Sequence, residues 1–224
     1  MGHRFSEIMF GDAVRAAQER YGSRGQNERL LALGHANERL TGPEAAFIEA
    51  RDGFYLASVG ESGWPYIQFR GGAPGFVRVL DDKTLGYADF RGNRQYISTG
   101  NIGADGRVAL FFMDYAGRAR LKLLGRARVV DAGASPELVR ALEVPGYRAR
   151  VERAVLIAVE AFEWNCSQHI TPRYTEPEIE GRERALLARI AELEGRLQGG
   201  QSGAGQGSGA PAPAMGQASR GGQD

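Results

Sequence analysis

The chain has 224 residues, 42% of them hydrophobic and 25% charged, and a formal net charge of +1 at pH 7. That balance is the one of an ordinary globular protein long enough to bury a core, and it excludes a wholly disordered chain. So small a net charge gives no general pull toward nucleic acid or an anionic membrane, and any basic site has to be local. Cys166 is the sole cysteine, which rules out an internal disulfide framework and leaves no thiol cluster for zinc. No stretch has the length of a signal core or a membrane span, so a cytoplasmic protein that binds neither membrane nor nucleic acid is expected.

In chain order, helical periodicity appears first, over about residues 10–21 and 27–40, giving a helical extension across residues 1–42. In "TGPEAAFIEARDG", Thr41 and Glu44 have capping-box spacing and Pro43 sits in the first turn, so a helix should run to about Ala50 and end before Gly53. From Phe54 to Trp164 the texture changes to short β runs punctuated by turns: "FYLASV", "WPYIQFR", "FVRVL", "TLGYA", "RVALFFMD", "ARLKLLGRARVV" and "VERAVLIAVEAFEW". Only residues 93–101 and 135–143 read as helices between them, too few for a parallel α/β sheet. The expected fold is therefore mainly β (α+β), an antiparallel barrel with flanking helices, over residues 43–175.

Residues 176–198 carry Ile179, Leu186, Ile190, Leu193 and Leu197 on one helical stripe. Docking on its own domain and pairing in a short coiled coil both remain open for that helix. Residues 199–224 hold almost nothing bulky and apolar and are expected to form a disordered tail.

Three stretches carry candidate chemistry. Period two in "WPYIQFR" puts Trp64, Tyr66, Gln68 and Arg70 on one face, a set suited to stacking on and hydrogen-bonding a flat ligand. In "RARLKLLGRARVV" an apolar face alternates with Arg118, Arg120, Lys122, Arg126 and Arg128. A solvated face explains such alternation unless a second basic group stands nearby. In "GYADFRGNRQYISTGNI", Gly92, Asn93 and Arg94 fall where a strand gives way to a helix; free amides and a guanidinium there would cradle a phosphate.

Taken as an ordered set, these pieces resemble the pyridoxamine-phosphate-oxidase-like, FMN-binding split barrels. The resemblance runs from about Phe47 to Val130 and is nearest to the uncharacterised flavin-nucleotide-binding branch, through "RGG" at Arg70–Gly72, "GN" at Gly92–Asn93 and "WNC" at Trp164–Cys166. It implies a homodimer with FMN in the groove between subunits. It also implies that the backbone of Val77, Arg78 and Val79 passes along the isoalloxazine and that Tyr87 to Asp89 approaches it. Gly92, Asn93 and Arg94 then surround the phosphate, and Arg120 and Lys122 add ligand contacts. Gln68, Arg70, Trp164 and His169 complete the cofactor-binding candidates.

Ala88 and Asp89 depart from the family's Thr and Asn. "WNCSQHITPRY" lacks the spacing with which the true oxidases grip pyridoxal phosphate, so vitamin B6 oxidation is not implied. His169 could serve as a proton donor or as a capping histidine. Cys166 reads as a small buried hydrophobe. His3 and His35 have no partner at metal spacing, so no metal site is expected. No catalytic residue is assigned. The leading expectation is an FMN-dependent oxidoreductase of unknown substrate. The alternatives are an F420-dependent reductase on the same fold and a flavin- or haem-binding stress or carrier protein without turnover.

Overall fold

The computed structural model describes residues 3–32, 34, 36–165 and 167–203. The expectations for His35 and Cys166, and the disorder expected of residues 204–224, lie outside the described residues. The chain divides into two compact units, Met1–Arg173 and Tyr174–Asp224.

Seven strands build the first unit: β1 (Gly53–Val59), β2 (Pro65–Gly71), β3 (Val77–Asp81), β4 (Thr84–Phe90), β5 (Arg107–Asp114), β6 (Ala119–Asp131) and β7 (Val151–Asn165). They form one sheet in the order β2-β1-β5-β6-β7-β4-β3, and every neighbouring pair is antiparallel. The sheet rolls up because its inner face is continuously apolar and has to cover itself. Phe54 on β1 and Tyr87 on β4 are separated by β5, β6 and β7 in the sheet, yet their rings lie 5.5 Å apart. Phe76 and Phe112 both stack on Phe54, with ring centres 5.9 and 5.0 Å away. Each such buried aromatic contributes about 1.5–3 kcal/mol relative to exposure. Among the described residues the end strands β2 and β3 are not paired with each other, so the roll stays open along one seam. The mainly β, split-barrel architecture expected from the sequence is the one found.

The long β6–β7 pair curls without losing its inward face because it carries a bulge. Register shifts between Leu124 and Gly125, and a Cβ at Gly125 would stand 2.6 Å from the Ala158 carbonyl oxygen. Only glycine fits there.

Helices flank the barrel: α1 (Arg4–Met9), α2 (Asp12–Arg20), α3 (Arg24–Ala32), α4 (Gly42–Glu49), α5 (Ile97–Ala104) and α6 (Pro136–Leu142). The capping box of Thr41 and Glu44 forms as read. The N-terminal expectation needs correction: three short helices replace two, and no helix reaches Leu40. Gly11 is an extended N-cap that separates α1 from α2, and Gly34 is left-handed at φ 62°. Beyond it the chain is tied to the barrel instead, since Asn37 exchanges bonds with the Phe162 backbone and the Leu40 amide donates to Asp82.

The second unit holds α7 (Glu176–Gly203). The helix continues past residue 198, beyond which a tail was expected. Ile179, Leu186, Ile190, Leu193 and Leu197 are exposed along it.

Candidate functional site

β2 alternates half-buried Tyr66, Gln68 and Arg70 with exposed Pro65, Ile67 and Phe69. Its half-buried face looks onto the open seam. There Arg70 crosses to β4 and pairs with Asp89, Nη1 to Oδ1 3.0 Å, while Arg153 of β7 takes the other carboxylate oxygen at 2.9 Å. The Asp89 side chain is only 7% exposed. Burial works against the Arg153 charge, but the field of Asp89 overcomes it and raises the guanidinium's pKa. Arg153 also pairs with Glu152 at 2.5 Å and lies 4.7 Å from the centre of the Tyr96 ring.

The loop between β4 and α5 closes this corner. Asn93 Oδ1 accepts the Gln95 amide at 3.1 Å, folding the chain into a tight turn. Arg94 and Tyr96 are left-handed, at φ 62° and 55°, so the helix cannot start at Asn93 as expected and begins at Ile97. The Gly92-Asn93-Arg94 segment is thus a loop ahead of the helix and not its first turn. Arg94 donates to the Tyr96 hydroxyl at 3.2 Å, and that bond raises its pKa further.

Gln68, Arg70, Asp89, Gly92, Asn93 and Arg94 all line one small cavity, together with Tyr66, Tyr96, Ser98 and Arg153. Its volume is about 50 Å³, room for a phosphate-sized group and not for a ring system. Arg70 and Arg153 meet the buried Asp89 carboxylate, Arg94 lines the same cavity, and the Nε of Arg70 is buried without a partner. Gly92 has open space where a Cβ would stand. These features fit an anion, with Asp89 already holding part of the positive charge. Below the cavity the Tyr87 ring fills the core, and burial pushes its hydroxyl pKa well above the usual range.

Other sequence candidates lie elsewhere. Val77 is fully buried in the core. Val79 donates its amide to Glu49, and the Arg78 guanidinium approaches the Glu143 carbonyl at 3.5 Å. None of the three lines the cavity. Trp64 is 78% exposed and stands outside it as well. Trp164 packs edge-on against Phe47 and donates to Glu44 at 2.7 Å, which anchors α4 to the end of β7. Arg120, Lys122 and His169 line a second, larger cavity on the outer face of the sheet. Lys122 is already paired there with Glu163 at 2.6 Å.

Tyr96, Ser98 and Arg153 belong to the cradle but were not singled out from the sequence. In "VERAVLIAVE" the arginine looks like the polar flank of a strand, and only the β4–β7 register, Asp89 opposite Arg153, shows its partner.

The model of the pyridoxamine 5'-phosphate oxidase family matches residues 40–165. The chain belongs to the pyridoxamine 5'-phosphate oxidase family. The matched span begins just ahead of α4 and ends with β7, so it takes in the whole sheet and the cradle. No curated protein matches the chain. Among solved structures, HupZ of Group A Streptococcus is 23% identical, covering 60% of this chain and 99% of its own with a TM-score of 0.46. A pyridoxamine 5'-phosphate oxidase-like protein of Lactobacillus delbrueckii is 22% identical over 56% of this chain and 94% of its own, TM-score 0.43. A protein of Clostridium acetobutylicum related to general stress protein 26 is 17% identical over 60% and 92%, TM-score 0.40.

Among the described residues, no group of His, Cys, Asp and Glu could hold a metal ion, and no helix is long and apolar enough to cross a membrane.

Proposed function

We propose that the chain is an FMN-dependent oxidoreductase that works as a homodimer, with the flavin phosphate seated in the cradle at the seam. The observation that carries this reading is the convergence of Arg70, Arg94 and Arg153 on one phosphate-sized cavity, inside a span matched by a family named for a phosphate-bearing substrate. When bound, the flavin supplies the hydride or electron chemistry. The protein's part is to bind and orient: Arg94 and Arg70 offer charge-assisted donors, the loop at Gly92 and Asn93 allows close approach, and Gln68 and Tyr66 border the path away from the phosphate.

A second copy enters the argument through size and exposure. A cavity of about 50 Å³ leaves any ring system outside it, so a further surface has to cover the rings. On the face of β2 turned away from the cradle, the edge strand leaves Ile67 63% and Phe69 57% exposed, with Trp64 just before it. An apolar edge strand of this kind calls for cover. A second copy of the chain seated against this edge supplies such a surface.

The test is purification without added cofactor, followed by FMN titration and sedimentation. FMN should bind a dimer, and Arg94→Ala should weaken binding about tenfold by the loss of a charge-assisted contact. Unchanged affinity in that variant would remove the phosphate from the cradle, and a monomer that binds FMN fully would remove the second copy.

A further inference from the structure

The second unit presents an apolar surface of its own. Every residue of α7 from Glu176 to Leu197 is exposed, among them the stripe of Ile179, Leu186, Ile190, Leu193 and Leu197. Ile179, Leu186 and Leu193 recur every seven residues, and Ile190 and Leu197 alternate with them at spacings of four and three. That is the a/d edge of a coiled coil. In this frame Ile179, Leu186 and Leu193 are d positions, and Glu183, Ile190 and Leu197 are a positions. Gly181 and Gly195, which weaken a solitary helix, both fall at f, the position farthest from the stripe, and neither has a neighbour where a Cβ would stand.

Charges flanking the stripe decide what covers it. The g positions are Arg182, Arg189 and Arg196, and the charged e positions are Glu180 and Glu194. An antiparallel pair of these helices sets g against g and e against e, so like charges would oppose one another along both edges. In a parallel pair g meets the e of the following heptad, which puts Arg189 against Glu194 of the second copy, and the reverse pair forms by symmetry. Within its own helix Arg189 holds Glu192 at 2.6 Å, but both side chains are more than half exposed, and such a surface pair holds an arginine only weakly. Glu183 is the one charged residue in the stripe. A parallel pair packs it beside Arg182 of the second copy, where it fixes register as a lone polar a residue does. Ile190 at a between Leu186 and Leu193 at d is the combination that favours two strands.

We infer that α7 is a self-association element, pairing in parallel and in register with α7 of a second copy of this chain. An apolar stripe of this length calls for cover. The stretch from Ile179 to Leu197 is shorter than three heptads, and so short a coil holds firmly when its two chains are already neighbours. To that extent the inference rests on the homodimer proposed above, although it requires no flavin. The two-fold axis of a parallel pair runs along the coil and starts both helices at the same end, which suits two subunits of one closed dimer.

The test places one cysteine at a time in the full chain, Leu193→Cys at d or Ala188→Cys at f, and oxidises each without FMN. Peptide mass locates the bridge, since Cys166 is present as well. Leu193→Cys should bridge to its own copy, and Ala188→Cys should do so roughly tenfold more slowly. Arg189→Glu added to Leu193→Cys turns both flank pairs repulsive and should slow bridging roughly fivefold, and Glu194→Arg added to that chain should restore it. No bridging at Leu193, or equal bridging at Ala188, overturns the pairing. Slowing by Arg189→Glu that Glu194→Arg leaves unrestored overturns the parallel orientation. Sedimentation keeps the two readings apart. A dimer without bridging at Leu193 overturns the helix pairing and leaves the barrel dimer standing. Bridging at Leu193, with a dimer that Leu186→Asp converts to monomer, supports the helix pairing and removes the barrel as what holds the copies together.

Discussion

Asp89 is the residue on which the seam depends. Its carboxylate is enclosed and held by two arginines from different strands, and removing one member of such a group leaves the others uncompensated. Asp89→Ala should therefore lower unfolding stability by about 3 kcal/mol, the lower end of the range for a buried pair because Arg70 retains some exposure; urea denaturation measures it. Asp89→Asn keeps an acceptor and removes the negative charge, so it should cost less stability and tighten FMN. Glu44 offers a pH test. Burial raises its pKa, but hydrogen bonds from Thr41 and Trp164 outweigh that and hold it below the ordinary glutamate value. A carboxylate depressed in the folded state stabilises fully above its unfolded pKa and loses that contribution as pH falls through the folded one. Acid unfolding of the wild type should thus contain a component below the usual glutamate pKa that Glu44→Gln abolishes, as thermal melts across pH would show.

At the scale of elements, the bulge in β6–β7 sets where the barrel bends. Gly125→Ala would force a methyl against the Ala158 carbonyl. The backbone has little freedom to retreat in the middle of the sheet, so a loss of about 1–3 kcal/mol is expected, the usual cost of overpacking; chemical denaturation with an unchanged far-ultraviolet spectrum would verify it. The alternation in "WPYIQFR" told which β2 side chains share a face, because period two is a property of the extended backbone alone. Which face meets Asp89 depended on how the sheet rolls. Similarly, "GNR" was legible as an anion-friendly turn, but the start of α5 was not. The left-handed conformations of Arg94 and Tyr96 are imposed by the Asn93 turn and by contacts of Tyr96 with Arg94 and Arg153, which no local propensity reveals.

For the whole molecule, the division at Arg173 separates the barrel from the unit that holds α7. A chain ending at Arg173 should melt within a few degrees of the full chain, since the core aromatics and the cradle all lie before that point; calorimetry of both lengths decides this, and a large drop would make the C-terminal unit part of the barrel's stability. The sequence by itself determined the class of fold, the capped helix at Thr41, the two faces of β2 and the basic character of the Gly92 loop. Each follows from periodicity or from interactions between residues a few positions apart. Tertiary structure alone decided that Arg153 joins Arg70 and Arg94, that Trp164 serves Glu44, and that Arg120 and His169 face a different cavity from the cradle. Those facts depend on strand order and on the curl of the sheet, where residues 64 positions apart such as Asp89 and Arg153 become neighbours, and a linear pattern carries no record of that closure.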